Sequence, residues 1–274
     1  MKRLFSDEEK SFINKCAEKH LGYKYTAQQL NCEPQTIKKF CLKNNITMQY
    51  RKKNRELNED FFEVIDSSEK AYFLGLMYTD GSTRIVKNNS KQIRISLQLR
   101  DKAIIEKFKK ILNADVDLIY DKRPNKEMVG FEITNAKLFD DLYSHGIIPN
   151  KTYKSKNLPL INNEYLIDFL RGLFDGDGTL SYKENYNEAS VGFTNYSYEV
   201  VLEFQQYIDK LINKTKSNKI HHSVDNNSSK YTCSWRGFRQ VLKILSLLYD
   251  NSNIYLQRKY DKYQALLSAD KDMI

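Results

Sequence analysis

Two Asp-Gly pairs, Asp80-Gly81 and Asp177-Gly178, stand 97 positions apart, and each closes a short apolar stretch. The first reads Phe73-Leu74-Gly75-Leu76-Met77-Tyr78-Thr79-Asp80-Gly81, the second Leu170-Arg171-Gly172-Leu173-Phe174-Asp175-Gly176-Asp177-Gly178. Each pattern predicts a helix with its glycine at C′ and its Asp in the last turn, where unpaired carbonyls already present negative charge. Small residues recur four apart, Gly75 with Thr79 and Gly172 with Gly176, so each helix carries a bare stripe that lets another backbone come close. If the stripes face each other, Asp80 and Asp177 converge. Two carboxylates beside two negative helix ends ionise together cheaply only around a divalent cation. A single Asp-Gly pair after an apolar run is often just a helix stop and turn; two in a repeated context point to chemistry.

The two nonamers resemble the LAGLIDADG motif of homing endonucleases. In that family two such helices form the central interface, and the penultimate acidic residue of each binds the catalytic metal. The resemblance implies Asp80 and Asp177 as catalytic metal ligands and Mg2+ as cofactor, with Mn2+ able to substitute. Backbone carbonyls at Gly81 and Gly178, with water, would complete the shell. Tyr78 departs from the pattern, standing where the motif usually has an earlier Asp that Asp175 supplies in the second stretch. The run from Gly146 to Thr152 also resembles a family segment, which implies a phosphate-assisting role for Lys151. Gln98 and Lys259 are further catalytic candidates to order water or steady phosphates, and ordered solvent can serve as the base. The implied reaction is metal-dependent hydrolysis of both strands of a long double-stranded DNA site, leaving short 3′ overhangs.

Around the motifs the order repeats. After the first come strands at 82–87 and 91–99 across an Asn88-Asn89 turn, a helix at 101–112, strands near 115–122 and 127–134, and a helix at 136–144. After the second come strands near 179–184 and 189–195, a helix at 197–212, strands near 218–224 and 230–236, and a helix at 238–249. The helices after the hairpins match at an offset of 96 (Val200 to Ile104, Phe204 to Phe108), which predicts a second hairpin one residue shorter. The fold expected is α+β: two pseudo-symmetric αββαββα halves at 65–160 and 161–268, their antiparallel sheets forming a saddle. Such a duplication in one chain suits a monomer on an extended, imperfectly palindromic duplex.

In the strand at 91–99, Ile93, Ile95, Leu97 and Leu99 alternate with Gln92, Arg94, Ser96 and Gln98, followed by Arg100. The polar set consists of donors that read groove edges, which predicts a DNA-facing surface joined by Arg84 and, in the second half, by Thr194, Thr232, Ser234 and Arg236. An ordinary solvated sheet would alternate too, but this strand exposes no Asp or Glu.

Ahead of both halves, residues 1–48 read as a small all-α helix-turn-helix. It comprises a helix at 7–20 capped by Ser6, a short one at 26–30 opened by Thr26, a turn through Asn31-Cys32-Glu33-Pro34, and a helix at 35–43. Gln35, Thr36, Lys38 and Lys39 would face DNA while Ile37, Phe40 and Cys41 pack inward. Residues 49–64 form a basic linker in which Arg51, Lys52 and Lys53 can lie along phosphates.

Composition agrees with a polyanion partner. The 274 residues carry 44 Lys and Arg against 35 Asp and Glu, a net charge of +9, with nineteen Tyr and fourteen Phe. That balance favours nucleic acid over a membrane, and no apolar run reaches the roughly 18 residues of a spanning helix. The N-terminal residues do not read as a signal peptide, which implies a cytoplasmic, nucleoid-associated protein. Four cysteines without a C-x-x-C pair argue against zinc and for reduced packing thiols. The rival expectation on the same scaffold is a non-cutting DNA-binding regulator, or a maturase whose partner is intron RNA.

Overall fold

The computed structural model describes residues 3–18, 22–46, 56–123, 126–149, 157–183, 188–225 and 228–271. The chain divides into two compact units between Leu57 and Asn58.

The first unit holds three helices, α1 (Asp7–Glu18), α2 (Gly22–Gln29) and α3 (Pro34–Lys43). Ser6 and Glu9 cap α1 reciprocally, the Ser6 hydroxyl accepting from the Glu9 amide (3.2 Å) and the Glu9 carboxylate from the Ser6 amide (2.9 Å). Ile13, Cys16, Ala27, Ile37 and Cys41 are buried together, with Phe5 edge-on to Phe40. Two boundaries differ from expectation. Thr26 lies inside α2 instead of opening it, its hydroxyl turned back to the Gly22 carbonyl at 2.9 Å, a bond Thr makes readily within a helix. Pro34 starts α3 instead of ending the turn, because its missing N–H is no loss in a first helical turn.

The second unit repeats one pattern twice. The first half runs α4 (Ser68–Thr79), β1 (Gly81–Val86), β2 (Ser90–Gln98), α5 (Lys102–Ile111), β3 (Ile119–Arg123), β4 (Lys126–Thr134) and α6 (Ala136–Ser144). The other runs α7 (Leu166–Asp177), β5 (Gly178–Lys183), β6 (Glu188–Asn195), α8 (Tyr198–Leu211), β7 (His221–Asp225), β8 (Ser228–Arg236) and α9 (Phe238–Tyr249), followed by α10 (Gln257–Lys271). Each half forms a four-stranded antiparallel sheet, ordered β1-β2-β4-β3 and β5-β6-β8-β7. This is the α+β arrangement expected of two equivalent halves. One face of each sheet supplies core: Ile93, Ile95, Leu97, Val129 and Phe131 in the first, Val191, Phe193, Cys233 and Trp235 in the second. Phe108 of α5 lies in the first core, stacked on Phe73 at 4.2 Å, and Phe204 of α8 stacks on Phe193 at 4.1 Å in the second.

The register corrects the expected hairpin lengths. Gly81 opposes Ile95, whereas Gly178 opposes Phe193, so the second hairpin is one residue longer, not shorter. The shortening falls between β6 and α8: the first half inserts a 3-10 turn, Leu99–Asp101, where Ser197 caps α8 directly. Strands β3 and β7 also begin later than expected, since pairing starts only at Ile119 opposite Gly130 and at His221 opposite Thr232.

Gly81 and Gly178 are not left-handed C′ residues either. Each opens a strand, and Gly178 is extended at φ −78°, ψ 148°. Close approach explains them instead: a Cβ on Gly81 would lie 2.6 Å from the Met77 carbonyl oxygen, and one on Gly178 would meet the Phe174 ring at 2.7 Å.

Candidate active site

Helices α4 and α7 meet backbone to backbone. A Cβ on Gly75 would stand 2.8 Å from the Leu173 nitrogen and 3.0 Å from the Gly172 Cα. One on Gly172 would stand 3.0 Å from the Leu76 nitrogen and collide with the Tyr72 carbonyl. One on Gly176 would run into the Thr79 side chain and the Asp80 carboxylate. The small residues of each helix therefore occupy the line along which the two axes touch, and Asp80 lies against the last turn of α7. Asp177 ends that same turn.

Below this contact sits a buried polar group. The Asp175 side chain is fully enclosed and accepts from the Tyr72 hydroxyl (2.8 Å), the Tyr249 hydroxyl (2.6 Å) and the Leu256 amide (2.8 Å). Burial raises its pKa, opposed by Lys259 and by these donors. Lys259, 2 % exposed, gives its ammonium to the carbonyls of Phe174, Asp175 (2.9 Å) and Gly178 (2.6 Å). It thus supplies a positive charge and three donors at the C-terminal end of α7, where carbonyls lack partners. Burial lowers its pKa to about 8; Asp175 opposes this, Arg258 adds to it, and Asp80 and Asp177 both pull upward. Arg171, 2 % exposed, is spent on the carbonyls of Ile254 and Leu248 and on Asp168.

Asp80 and Asp177 are both half-buried. The Asp80 carboxylate accepts from the Thr79 hydroxyl at 3.0 Å, and that of Asp177 from the Asn195 amide at 3.1 Å. Among the described residues no cluster of three His, Cys, Asp or Glu side chains could hold a metal. A pair of carboxylates nevertheless suits Mg2+, which commonly takes one or two carboxylates and leaves its other positions to water and substrate phosphates. The same pair lacks the Cys or His ligands that zinc sites add to any carboxylate.

The other residues singled out in the sequence fall in several places. Lys151, Arg51, Lys52 and Lys53 lie outside the described residues. Lys259 is turned into the protein as a helix-end cap, not outward to a phosphate, because only an ammonium among its neighbours can satisfy three converging carbonyls. The Gly178 carbonyl, expected at the metal, is engaged by Lys259. Gln98 lies three residues along β2 from Ile95, the partner of Gly81, and faces away from the core.

Arg84, Gln92, Arg94, Ser96 and Gln98 share the face of the first sheet that points away from its core, and Arg100 is exposed just beyond. Thr194, Thr232, Ser234 and Arg236 share the corresponding face of the second sheet. The Thr194 and Thr232 hydroxyls lie 2.9 Å apart. In the first unit, Gln35, Lys38 and Lys39 are exposed on α3 and Thr36 is half-buried.

Several partners were not found by sequence reasoning. Tyr72, Tyr249, Leu256 and Asn195 were given no role; a motif Asp with tyrosines in the neighbouring helices was the available signal. Glu132 is another. It lies on the exposed face of the first sheet and accepts from Arg84 (2.9 Å), Arg94 (3.2 Å) and Gln92 (3.0 Å). Its strand alternation in β4 was the missed signal.

With this geometry in place, comparison with known proteins is informative. Residues 164–258, which span α7 to the start of α10, match the family model for a LAGLIDADG-like domain. The fold of about three quarters of the chain also has solved counterparts. The meganuclease I-SmaMI bound to uncleavable DNA superposes with a TM-score of 0.51 at 11% identity, covering 72% of this chain and 87% of that one. A second structure of I-SmaMI on uncleavable DNA gives 0.50 at 12% identity, covering 74% and 90%. The fold is that of the LAGLIDADG homing endonucleases. A curated relative, the replication factor C small subunit of Methanocaldococcus jannaschii, is 28% identical over 258 residues, 84% of this chain. The chain spans 14% of that relative's length. The matched residues include α7 and Asp177, whereas α4 and Asp80 lie outside them.

Proposed function

We propose that this protein is a site-specific endonuclease that cleaves both strands of a long double-stranded DNA target by metal-dependent phosphodiester hydrolysis, acting as a monomer. The observation that carries the reading is the meeting of Asp80 and Asp177 at the last turn of α7, where Gly176 lies against the Asp80 carboxylate and Asp177 ends the helix. Both carboxylates also favour the charged form of the Lys259 ammonium, although they belong to separate halves whose motif helices touch where glycines let them. A protein that needed only the fold would gain stability by neutralising acids at helix C-termini, so two of them at this place support a catalytic role.

In this reading Asp80 and Asp177 hold the cation, Thr79 and Asn195 orient the two carboxylates through their hydrogen bonds, and Lys259 fixes the end of α7 beneath them. A bound Mg2+ or Mn2+ would supply an acidified water and neutralise charge on the phosphodiester. The exposed sheet faces would bind the duplex, with Gln35, Lys38 and Lys39 of α3 adding contacts, and the net charge of +9 would draw DNA in a salt-dependent way.

Incubation of the purified chain with a duplex library and Mg2+, followed by sequencing of new ends, tests this. Defined double-strand ends with short 3′ overhangs support it. Sequence-selective binding without ends would leave a DNA-binding regulator, and promotion of intron splicing would indicate a maturase.

A further inference from the structure

The strand registers allow the two sheets to be compared position by position. Gly81, Ile95 and Phe131 lie side by side in the first sheet, as Gly178, Phe193 and Cys233 do in the second. Counting outward from these rows gives the equivalent of each residue on the exposed faces. Arg84 then corresponds to Ser181, and its neighbour Gln92 to Ser190. Arg94 corresponds to Gly192, and Glu132 to Ser234. At the far strand Asp121 corresponds to Ser223. At five equivalent positions a long charged or amide side chain in the first half is a serine or glycine in the second.

The long side chains are also held in place. Glu132 bonds Arg84, Arg94 and Gln92, Arg84 bonds Gln92 at 2.5 Å, and Asp121 grips Arg123 through both carboxylate oxygens. A guanidinium has five donors, so an arginine buttressed by one carboxylate keeps donors for a second acceptor. Fixing its rotamer beforehand also reduces the entropy lost on binding. Arginine pairs two donors with the O6 and N7 of guanine, glutamine pairs with adenine, and a carboxylate accepts from cytosine.

A serine or threonine hydroxyl is short and both donates and accepts, so it meets either base edge alike or reaches one through water. On the second sheet the long cations are Lys230, over the Tyr196 ring at the end nearest Gly178, and Lys183 and Arg236, which with Glu188 line one depression at its outer end.

We infer that the two arms of the DNA target are read unequally. The arm under the first sheet is specified base by base through the Arg84–Gln92–Arg94–Glu132 network. The arm under the second sheet tolerates substitution except at its outer end, beneath Arg236. This rests on the endonuclease reading and names its substrate: a duplex with one information-rich arm containing G·C pairs and one degenerate arm.

The test is selection of bound duplexes from a pool randomised across the whole site, with the full chain in EDTA so that nothing is cut, and sequencing of the bound fraction. The expected result is one specified arm, each of its pairs favoured about 5- to 150-fold over alternatives, and one tolerant arm. Arg94→Ala and Glu132→Ser, each checked by its thermal melt, should flatten preference in the specified arm only. Thr232→Ala and Ser234→Ala should leave the preferences of the specified arm as they are.

Equal information in the two arms, or loss of preference in the tolerant arm from Arg94→Ala, would overturn the inference. Binding that selects no sequence and does not weaken with salt would instead remove the DNA reading on which it stands, a result recognisable by its flat salt dependence.

Discussion

Tyr72 on α4 donates its hydroxyl to Asp175 on α7, 2.8 Å away, across the line where the two halves of the second unit meet. Tyr249 of α9 and the Leu256 amide complete the set around the same carboxylate. The bond therefore ties the interface helices to each other and to the C-terminal segment. Tyr72→Phe removes one donor from a fully buried acid and should destabilise the protein by about 1–3 kcal/mol in urea unfolding. In a double-mutant cycle with Tyr249→Phe the two losses should be non-additive; strict additivity would show that the hydroxyls do not share one acceptor energetically.

Gly172 is where main chain meets main chain most closely in the helix contact. Even a methyl group there collides with the Tyr72 carbonyl, and main chain cannot rotate out of the way as a side chain can. Gly172→Ala should cost roughly 1–3 kcal/mol, and Gly172→Leu more. The midpoint of chemical denaturation measures this, and an unchanged midpoint for Gly172→Ala would mean that the helices part at little cost.

For the proposed reaction, Asp80→Asn or Asp177→Asn should abolish double-strand cutting and leave duplex affinity within a few-fold. EDTA should do the same to the unaltered protein. Gel-shift and cleavage assays on one substrate separate the two effects, and a variant that still cuts at the normal rate would remove that residue from the site.

The alkaline side of the stability curve has a definite sign. Burial pushes the Tyr72 and Tyr249 hydroxyls well above 10.0, and brings Tyr263 and the Cys233 thiol to about 12. Above about pH 9 the unfolded chain releases these protons while the folded one keeps them, so stability is lost as pH rises. Lys259, lowered to about 8, acts oppositely between pH 8 and 10.5, but it is one group against four. Urea midpoints should therefore fall from pH 9 to 11. A rising midpoint would contradict the burial of these hydroxyls.

Cysteine labelling gives an independent check. Cys16, Cys41 and Cys233 are buried and Cys32 is half-exposed. Burial also raises the thiol of Cys32. A thiol reagent at pH 8 should modify Cys32 slowly and the other three only in denaturant. Rapid modification of Cys233 in the folded protein would disagree with its place in the second sheet's core.

The architecture could be read from the sequence because its signals are local and repeated. Ile93, Ile95 and Leu97 alternate as strand residues must, and the α5 and α8 faces recur at helical spacing, so both halves were legible from pattern alone. Boundaries were less so. Thr26 is chemically suited to opening a helix and equally to bonding back within one, and only packing decides between them. The hairpin lengths were misassigned because an offset between helices sums two changes of opposite sign, and the register alone separates them.

At the site, Asp80 and Asp177 were conspicuous as acids at helix ends. The groups that hold the helices in place were not, because Tyr72, Tyr249 and Leu256 are spread over nearly two hundred positions, and Lys259 stood out only as a candidate for phosphate, not as the helix cap it forms. Their meeting is a property of the folded chain. Glu132 escaped notice for a related reason: its three partners lie on two other strands.

Lys259 also sets an order of events during synthesis. It reaches back 84 residues to the Asp175 carbonyl, so α7 leaves the ribosome well before its last turn is capped. At about 5–20 residues per second that interval is roughly 4 to 17 seconds. Through it the last turn of α7 lacks the ammonium that fixes it, and Asp175 lacks the Leu256 amide. A nascent chain therefore cannot assemble the finished arrangement around Asp80 and Asp177 until Lys259 has emerged and folded back onto α7.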